Sequence, residues 1–294
     1  MKKILLILLS FSFIYASSDY LDIINENMAN RIIRYSKNID KALCLRSIRE
    51  EFSEIFNDDY YYKNNKSYLK LILGFQKQEH TKINVIEKIR VRLDLPLLKH
   101  SFKLFIDSDY LDNKLDAEYE QDTSLGIESS FSKYLDSKLR LGLRGIDNIY
   151  LGYRIGMTYE HDSFVIEPYQ YIRYSIEDKL EESTNLNIDM FLQDDDILRL
   201  YMRRYSDDDS SHDSYGTSLT YFKHLDNKKI ITTSISANIS SDENKNYIIS
   251  SQYQQNIFKK YMFLRVVPYM IWEEINDYKH DLGITVLFEW RFRK

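Results

Sequence analysis

The chain has 294 residues, a net charge of −5 and 44% hydrophobic residues, and its aromatic residues include 25 tyrosines. This length is sufficient for one large β domain. The mild acidity disfavours nucleic-acid binding, because such proteins usually present a strongly basic face. Beyond residue 18, no apolar run approaches the roughly 18–20 residues that a membrane helix requires. Only strands that close into a barrel could therefore carry the mature chain across a bilayer.

The first residues have the composition of a secretory signal. Lys2 and Lys3 precede an apolar segment over 4–15, and small residues follow at 16–18. This pattern predicts a signal peptide over residues 1–18 and an exported protein. An N-terminal membrane anchor is the alternative, which is disfavoured because the apolar segment is short for a span. The single cysteine, Cys44, cannot form an internal disulfide and is expected to be a buried apolar side chain.

Residues 19–57 repeat their apolar side chains at intervals of three and four, beginning with Leu21, Ile24 and Met28. This spacing predicts an amphipathic helix within a periplasmic helical segment and linker over 19–66. The apolar stripe of such a helix has to be buried. It either packs within the protein or binds a periplasmic partner protein.

From residue 68 onward the period changes to two, as where Leu139 and Leu141 flank Arg140. About fourteen such segments follow, each of about ten residues, although about twelve strands is also a compatible count. The pattern predicts an all-β fold, a transmembrane antiparallel up-and-down β-barrel over residues 67–294. The aliphatic face would contact outer-membrane lipid. A soluble sandwich shows the same alternation and is the alternative.

The connections between the predicted strands differ on the two sides of the sheet. One side receives the long acidic stretches SDYLDNKLDAEYEQD, SIEDKLEES, SDDDSSHDSYG and EEINDYKHD, and the other receives shorter ones such as EHDS and LDNKK. Outer-membrane barrels place long loops outside and tight turns in the periplasm. Two segments, SFVIEPYQYIRYS and YMFLRVVPYMIWEE, contain a proline and predict a bulge or an edge.

The C-terminal stretch DLGITVLFEWRFRK alternates apolar and polar residues and is rich in aromatics. It resembles the signal by which bacterial barrels are recognised for outer-membrane assembly, which implies the barrel-assembly machinery as a partner. Arg293 and Lys294 follow Phe292 here, whereas the usual pattern ends on the aromatic residue.

A second resemblance covers about the first third of the mature chain. The stretches KNNKSYLKLILGF and EKIRVRLDLPLLKHSFKLFIDSD contain an RxRxxLP-like strand formed by Arg90, Arg92, Leu95 and Pro96. They look similar to uncharacterised Gram-negative outer-membrane β-barrel proteins with an N-terminal helical segment. The resemblance implies a location in the bacterial outer membrane and supplies no activity.

The ionic face of the predicted strands would line the lumen. Rows of arginine in a water-filled lumen favour anions. Alternatively, opposite charges pair between strands and fill the interior. The predicted lining residues are Arg90, Arg92, Arg140, Arg144, Arg154, Arg199, Arg203, Arg291, Asp94, Asp189 and Glu289.

The sequence predicts neither an enzyme nor a cofactor. It contains no GxSxG elbow, phosphate loop, dinucleotide fingerprint or zinc spacing. Asp207, Asp208 and Asp209 with His212 lack the glycine and distal glutamate of a calcium loop, so a solvated loop is expected there and no metal. His161 and His224 are the candidates for a hydrolase.

Three hypotheses follow. The first is a narrow outer-membrane channel for small anionic solutes, and the second is a non-conducting envelope scaffold whose helix binds a periplasmic partner. The third, most remote, is an outer-membrane hydrolase.

Overall fold

The computed structural model describes residues 18–43, 66–95, 102–107, 124–130, 135–144, 148–177, 179–192, 196–208, 213–226, 228–240 and 245–292. Residues 1–17 of the predicted signal, Cys44, the predicted helical residues 44–57 and the acidic stretch 108–122 lie outside this part of the chain. The N-terminal helix, α1, runs over Ser18–Leu43. Within the described ranges, no helix has the length and apolar character needed to cross a membrane.

Fifteen strands follow the helix. They are β1 Tyr68–Gln78, β2 Asn84–Leu95, β3 Phe102–Asp107, β4 Ser124–Ser130, β5 Lys138–Arg144, β6 Asn148–Gly156, β7 Tyr159–His161, β8 Phe164–Ser175, β9 Lys179–Phe191, β10 Ile197–Asp207, β11 Asp213–Asp226, β12 Lys229–Ser240, β13 Lys245–Asn256, β14 Met262–Glu273 and β15 His280–Phe292. A short 3-10 helix, Glu274–Asn276, lies between the last two strands.

The strands form one closed antiparallel sheet. Strand β1 pairs with β2 on one side and with β15 on the other, with Leu71 opposite Trp290. Strand β6 pairs with β8, which completes the ring. The prediction of a fourteen-stranded barrel is confirmed, because β6 and β7 together occupy one position beside β8. No second sheet exists in the described ranges, so the sandwich alternative is wrong.

A proline explains why β6 and β7 are separate. The Met157 amide donates a hydrogen bond to the Pro168 carbonyl at 3.1 Å. Pro168 has no amide hydrogen and cannot donate a hydrogen bond in the opposite direction, so the antiparallel ladder lacks one hydrogen bond at that point. The predicted irregularity at this proline is therefore a local interruption within an otherwise continuous strand position.

The two faces of the sheet differ in chemistry and exposure. Aliphatic side chains such as Leu141 and Ile235 are 53% and 56% exposed on the outside. On the opposite face, Glu128 and Glu289 are 1% and 0% exposed. Since the sheet is closed, the buried ionic face is the interior and the aliphatic face is the exterior.

Helix α1 packs against the outside of the barrel at the rim where β15 ends. Leu21 and Ile32 of the helix form a buried cluster with Met262, Trp290 and Phe292 of the outer face. Of the two alternatives for the apolar stripe, packing within the protein is the one observed for Leu21 and Ile32. Polar contacts attach the helix at both ends: the Tyr261 hydroxyl donates to Asp22 at 2.8 Å, and the Ser36 hydroxyl donates to the Asp94 carbonyl.

One predicted connection is wrong. The stretch SIEDKLEES was expected to form a long loop, but β8 ends at Ser175 and β9 begins at Lys179. Most of this stretch is strand, because Glu181 pairs with Arg173 across the two strands. Glu181 lies in a strand and points inward because a charged partner on the neighbouring strand pairs with it, although its acidic surroundings in the sequence suggest a loop.

Candidate functional site: the charged lumen

All eleven predicted lining residues lie on the face opposite the exposed aliphatic side chains. The strand registers give this result directly, since Glu128 stands opposite Arg140 and Asp189 stands opposite Arg199. Strands β1 to β6 and β8 to β10 each contribute charged inward positions, as do β14 and β15. The structure groups these charges into clusters along the wall.

The first cluster surrounds Glu128 on β4. One carboxylate oxygen accepts from the Arg140 Nε at 2.6 Å, and the other accepts from Arg92. The Glu128 side chain is 1% exposed, whereas the Arg92 and Arg140 side chains are each 33% exposed. Two guanidinium groups therefore cover one buried carboxylate, and the cluster carries a net charge of +1.

The second cluster surrounds Glu289 on β15, at the seam where the barrel closes. Its carboxylate contacts Arg265 of β14, Arg291 of the same strand and, at 3.4 Å, the Lys70 ammonium of β1. The Glu289 side chain is 0% exposed, while that of Arg291 is 34% exposed. Three cations share one buried carboxylate, so this cluster carries a net charge of +2.

The remaining predicted residues have different surroundings. Arg199 and Asp189 form a two-point ion pair at 2.6 and 2.7 Å. Arg154 lies 3.1 Å from Asp136, and Arg144 lies 4.0 Å from Glu181.

Three further lining residues take part in other contacts. The guanidinium of Arg203 stands 4.9 Å from the centre of the Tyr205 ring. Arg90 is opposite Lys70 and Asp107 in the strand registers, and Asp94 accepts a hydrogen bond from the Lys66 amide at 3.3 Å.

Aromatic rings beneath several arginines hold the guanidinium planes in place. The guanidinium of Arg154 lies 4.0 Å from the centre of the Tyr169 ring, and that of Arg291 lies 4.2 Å from the centre of Phe263. Such cation–π contacts contribute about 0.5–1 kcal/mol where the groups are solvent-accessible. They restrict the arginines to the wall without neutralising their charge.

The predicted lining set lacks four residues that the structure places in these ion pairs: Lys70, Arg265, Arg173 and Glu181. Lys70 alternates with Leu69 and Leu71, so the period of two could have identified it. Arg265 lies in a strand whose apolar residues fall on both faces, which hides its orientation.

The two hydrolase candidates lie on different parts of the barrel. The His161 Nδ1 lies 3.1 Å from the Ser163 hydroxyl in the tight turn between β7 and β8. His224 lies on β11. The Ser163 amide also points to His161 Nδ1 at 3.4 Å, which is the geometry of a side chain that stabilises a turn.

Among the described residues, one largely exposed group of side chains could hold a metal ion. Glu79, His80 and Asp281 offer ligand atoms within 4.8 Å of one another at the rim opposite α1. His80 and Asp281 already share a hydrogen bond of 2.8 Å. This group connects the β1–β2 turn to the start of β15.

No protein-family model and no curated protein matches the chain. Solved structures with a similar fold include the outer membrane channel DcaP of Acinetobacter baumannii, with 9% identity, 78% of this chain and 96% of that chain covered, and a TM-score of 0.47. OpdN of Pseudomonas aeruginosa also shows 9% identity, 78% and 99% coverage and a TM-score of 0.47. A loop-deletion form of the Vibrio cholerae outer membrane protein OmpT shows 7% identity, 77% and 99% coverage and a TM-score of 0.48. The fold is a closed antiparallel β-barrel, and its assignment rests on the closed strand order of the chain itself.

Proposed function

We propose that this protein is an outer-membrane channel for small solutes that prefers anions. The observation that carries the proposal is the radial order of charge in the lumen. Glu128 and Glu289 are buried, whereas Arg92, Arg140 and Arg291, which contact them, remain about one third exposed. A solute inside the barrel would therefore meet guanidinium groups before it meets carboxylates.

The location follows from the outer face of the barrel. A closed sheet with exposed aliphatic side chains on its exterior needs an apolar medium around it, and a lipid bilayer supplies one. Leu141, Leu151 and Ile235 are examples from three strands, each about half exposed. Together with the N-terminal signal pattern, this face supports an outer-membrane location.

We take the lumen to be open, because the ion pairs of both clusters run along the wall. Glu128 pairs with cations on β2 and β5, and Glu289 pairs with cations on β14, β15 and β1, so both clusters follow the wall. Their net charges are positive, and charge in a low-dielectric channel attracts ions of the opposite sign. Small anions are therefore favoured over cations of the same size.

The test removes surplus cations without leaving a buried acid unpaired. In the double variant Arg140→Gln, Arg291→Gln, Glu128 keeps Arg92, and Glu289 keeps Lys70 and Arg265. The chloride-to-potassium permeability ratio, measured from reversal potentials in planar bilayers, is expected to fall towards one. The matched control is Arg204→Gln, which removes a cation that is paired to Asp213 and Glu182 on the outer face near a rim.

Ion selectivity and channel function are tested by different outcomes. An unchanged ratio in the double variant, with a normal ratio in the control, would show that these clusters do not select ions. A folded wild-type protein that carries no current would remove the channel function and leave the barrel. Folding of each variant is checked by faster migration of the unheated protein in detergent gels.

Within the described residues, the two other hypotheses have less support than the channel. A scaffold would use the apolar stripe of α1 to bind a periplasmic partner, but that stripe packs on the barrel wall. A hydrolase would require its histidines to meet a nucleophile, and the Ser163 hydroxyl near His161 belongs to a tight turn.

A further inference from the structure

One side of the lumen consists of small neutral polar side chains. Most inward mid-barrel positions of β11, β12 and β13 carry hydroxyl or carboxamide groups and none carries a charge, with apolar exceptions such as Phe222 and Ile230. We call these six partly exposed residues the neutral wall: Thr220, Thr232, Ser234, Ser250, Gln252 and Gln254.

The neutral wall faces a cationic cluster across the lumen. Strand β12 is seven strands from β4 in both directions around the ring, so the two strands are diametrically opposed. Strand β4 holds Glu128, which Arg92 and Arg140 of the adjacent strands cover. A solute between these walls has guanidinium groups on one side and hydroxyl and amide groups on the other.

The neutral wall has hydrogen-bonding capacity beyond its internal contacts. The hydroxyls of Thr220 and Ser234 lie 2.9 Å apart, and only one of them can donate in that contact. The other keeps its proton for a further acceptor, and both keep acceptor lone pairs. Gln252 and Gln254 each add a carbonyl acceptor and an amide donor.

We propose that the channel takes hydroxylated organic anions, such as monomeric sugar acids, in preference to simple carboxylates of equal charge and similar length. This inference rests on the proposed channel function. The carboxylate of such a solute would contact the exposed guanidinium groups of Arg92 and Arg140, and its hydroxyl groups would exchange hydrogen bonds with the neutral wall. A carboxylate without hydroxyl groups would form no hydrogen bonds with the neutral wall, which would stay hydrated. Such a solute would therefore bind no more tightly than chloride.

The experiment measures block of chloride current through the full-length protein in planar bilayers. The probes are sodium glucuronate and sodium hexanoate, two monoanions with six carbons, and glucose serves as the neutral hydroxylated control. One or two additional net hydrogen bonds correspond to about a tenfold difference in apparent affinity. Glucuronate is therefore expected to block at about tenfold lower concentration than hexanoate, and glucose is expected to block weakly.

A triple variant tests the neutral wall itself. Thr220→Val, Ser234→Ala and Ser250→Ala remove three hydroxyls that lie in one row of the strand register. The ratio of the hexanoate to the glucuronate blocking concentration is expected to fall towards one. The matched control is Thr233→Val with Ser251→Ala, a hydroxyl pair on the outer face of β12 and β13 with its oxygens 3.5 Å apart, and it should retain the ratio.

Each outcome has one meaning. Equal block by glucuronate and hexanoate in a chloride-selective wild-type channel would overturn this inference and leave the proposed function intact. An unchanged ratio in the folded triple variant would overturn the role of the neutral wall. A wild-type protein without chloride current would instead overturn the proposed function.

Discussion

Glu289 holds three cations of the lumen in place. Its side chain is 0% exposed and contacts Lys70, Arg265 and Arg291. Ion pairs at solvent-exposed sites contribute little to the free energy of unfolding. Removal of one partner of a buried ion pair is costly, because it leaves the other charge uncompensated. The Glu289 carboxylate therefore offsets the electrostatic repulsion among three neighbouring cations at the seam where the barrel closes.

This role predicts a large effect of Glu289→Gln. The variant keeps the shape of the side chain and removes its charge, so three cations repel one another beside a neutral amide. The free energy of unfolding is expected to fall by about 3–5 kcal/mol. The measurement is urea unfolding in lipid vesicles, followed by gel migration without heating.

The control for this variant is Glu87→Gln. Glu87 is exposed, and its position opposite Leu73 places it on the outer face of β2. It should change stability by less than about 0.5 kcal/mol, as surface substitutions usually do. A loss in Glu289→Gln no larger than that of the control would contradict the central position of this carboxylate.

At the scale of elements, the β1–β15 seam closes the barrel and requires close backbone approach. A Cβ atom added to Gly74 of β1 would collide with the backbone carbonyl of Val286 in β15. A Cβ atom added to Gly152 of β6 would meet the hydroxyl end of Tyr171, a side chain that can move. Gly74 is thus required because backbone atoms of β15 leave no room for a side chain, whereas Gly152 is opposed by a side chain that can move.

Gly74→Ala is therefore expected to destabilise the barrel by about 1–3 kcal/mol, the usual range for overpacking. Gly152→Ala should cost less, because rotation of one tyrosine relieves its contact. Both variants are measured by the urea concentration at which half of the protein loses its fast-migrating form. Equal midpoints for the two variants would mean that the backbone contact at Gly74 is no more restrictive than the side-chain contact at Gly152.

Helix α1 is attached to the barrel through an acid outside the spanning strands. Hydrogen bonds from Lys259 and from the Tyr261 hydroxyl hold the pKa of Asp22 below its usual range. Burial, followed by the hydrogen bond to Asp22, raises the pKa of Tyr261. A carboxyl whose pKa is lowered by docking stabilises the docked helix above its undocked pKa of about 4, and this contribution is lost as the pH falls below that value.

Acidification is therefore expected to weaken the docking of α1. Trp290 reports on this, since it is 5% exposed under the helix, and a Trp272→Phe background makes it the only tryptophan. In bilayers of brominated phospholipid, quenching of Trp290 should increase as the pH falls from 7 to about 3, because lipid replaces the helix.

The matched controls for this titration are Asp22→Asn and Glu26→Gln. Asp22→Asn should already show increased quenching at neutral pH and a much smaller further change on acidification. Glu26→Gln, on the exposed side of the same helix, should behave as the parent. Quenching that is independent of pH in the parent would show that Asp22 does not hold the helix on the wall.

At the scale of the whole molecule, the period of two, together with the alternation of long and short connections, was enough to predict a barrel of about fourteen strands and the inward orientation of the eight arginines in the predicted lining. It could not reveal the charge clusters, because Glu289 meets Lys70 and Arg265 only through the register of three strands. The position of α1 on the outer wall also could not be predicted from the sequence. A period of three and four requires an apolar surface for the helix but does not say whether that surface lies inside or outside the barrel.

The start of β9 shows a different limit. Leu180, Glu181, Glu182 and Ser183 look like a loop because two acids are adjacent. In the barrel Glu181 faces inward to Arg173, and Glu182 faces outward to Arg204. Adjacent charges are therefore compatible with a strand when each face supplies its own partner, which requires knowledge of both neighbouring strands.

The charge of the whole lumen gives a final prediction about salt. The clusters around Glu128 and Glu289 act on passing ions through their field, which decays over about 10 Å at 0.1 M salt and about 3 Å at 1 M. The chloride-to-potassium permeability ratio should therefore be highest in dilute salt and approach one near 1 M. In the Arg140→Gln, Arg291→Gln variant the ratio should depend less on salt over the same range. A wild-type ratio that stays constant from 0.1 to 1 M would mean that anions are selected by direct contact at a fixed site, because only short contacts escape ionic screening.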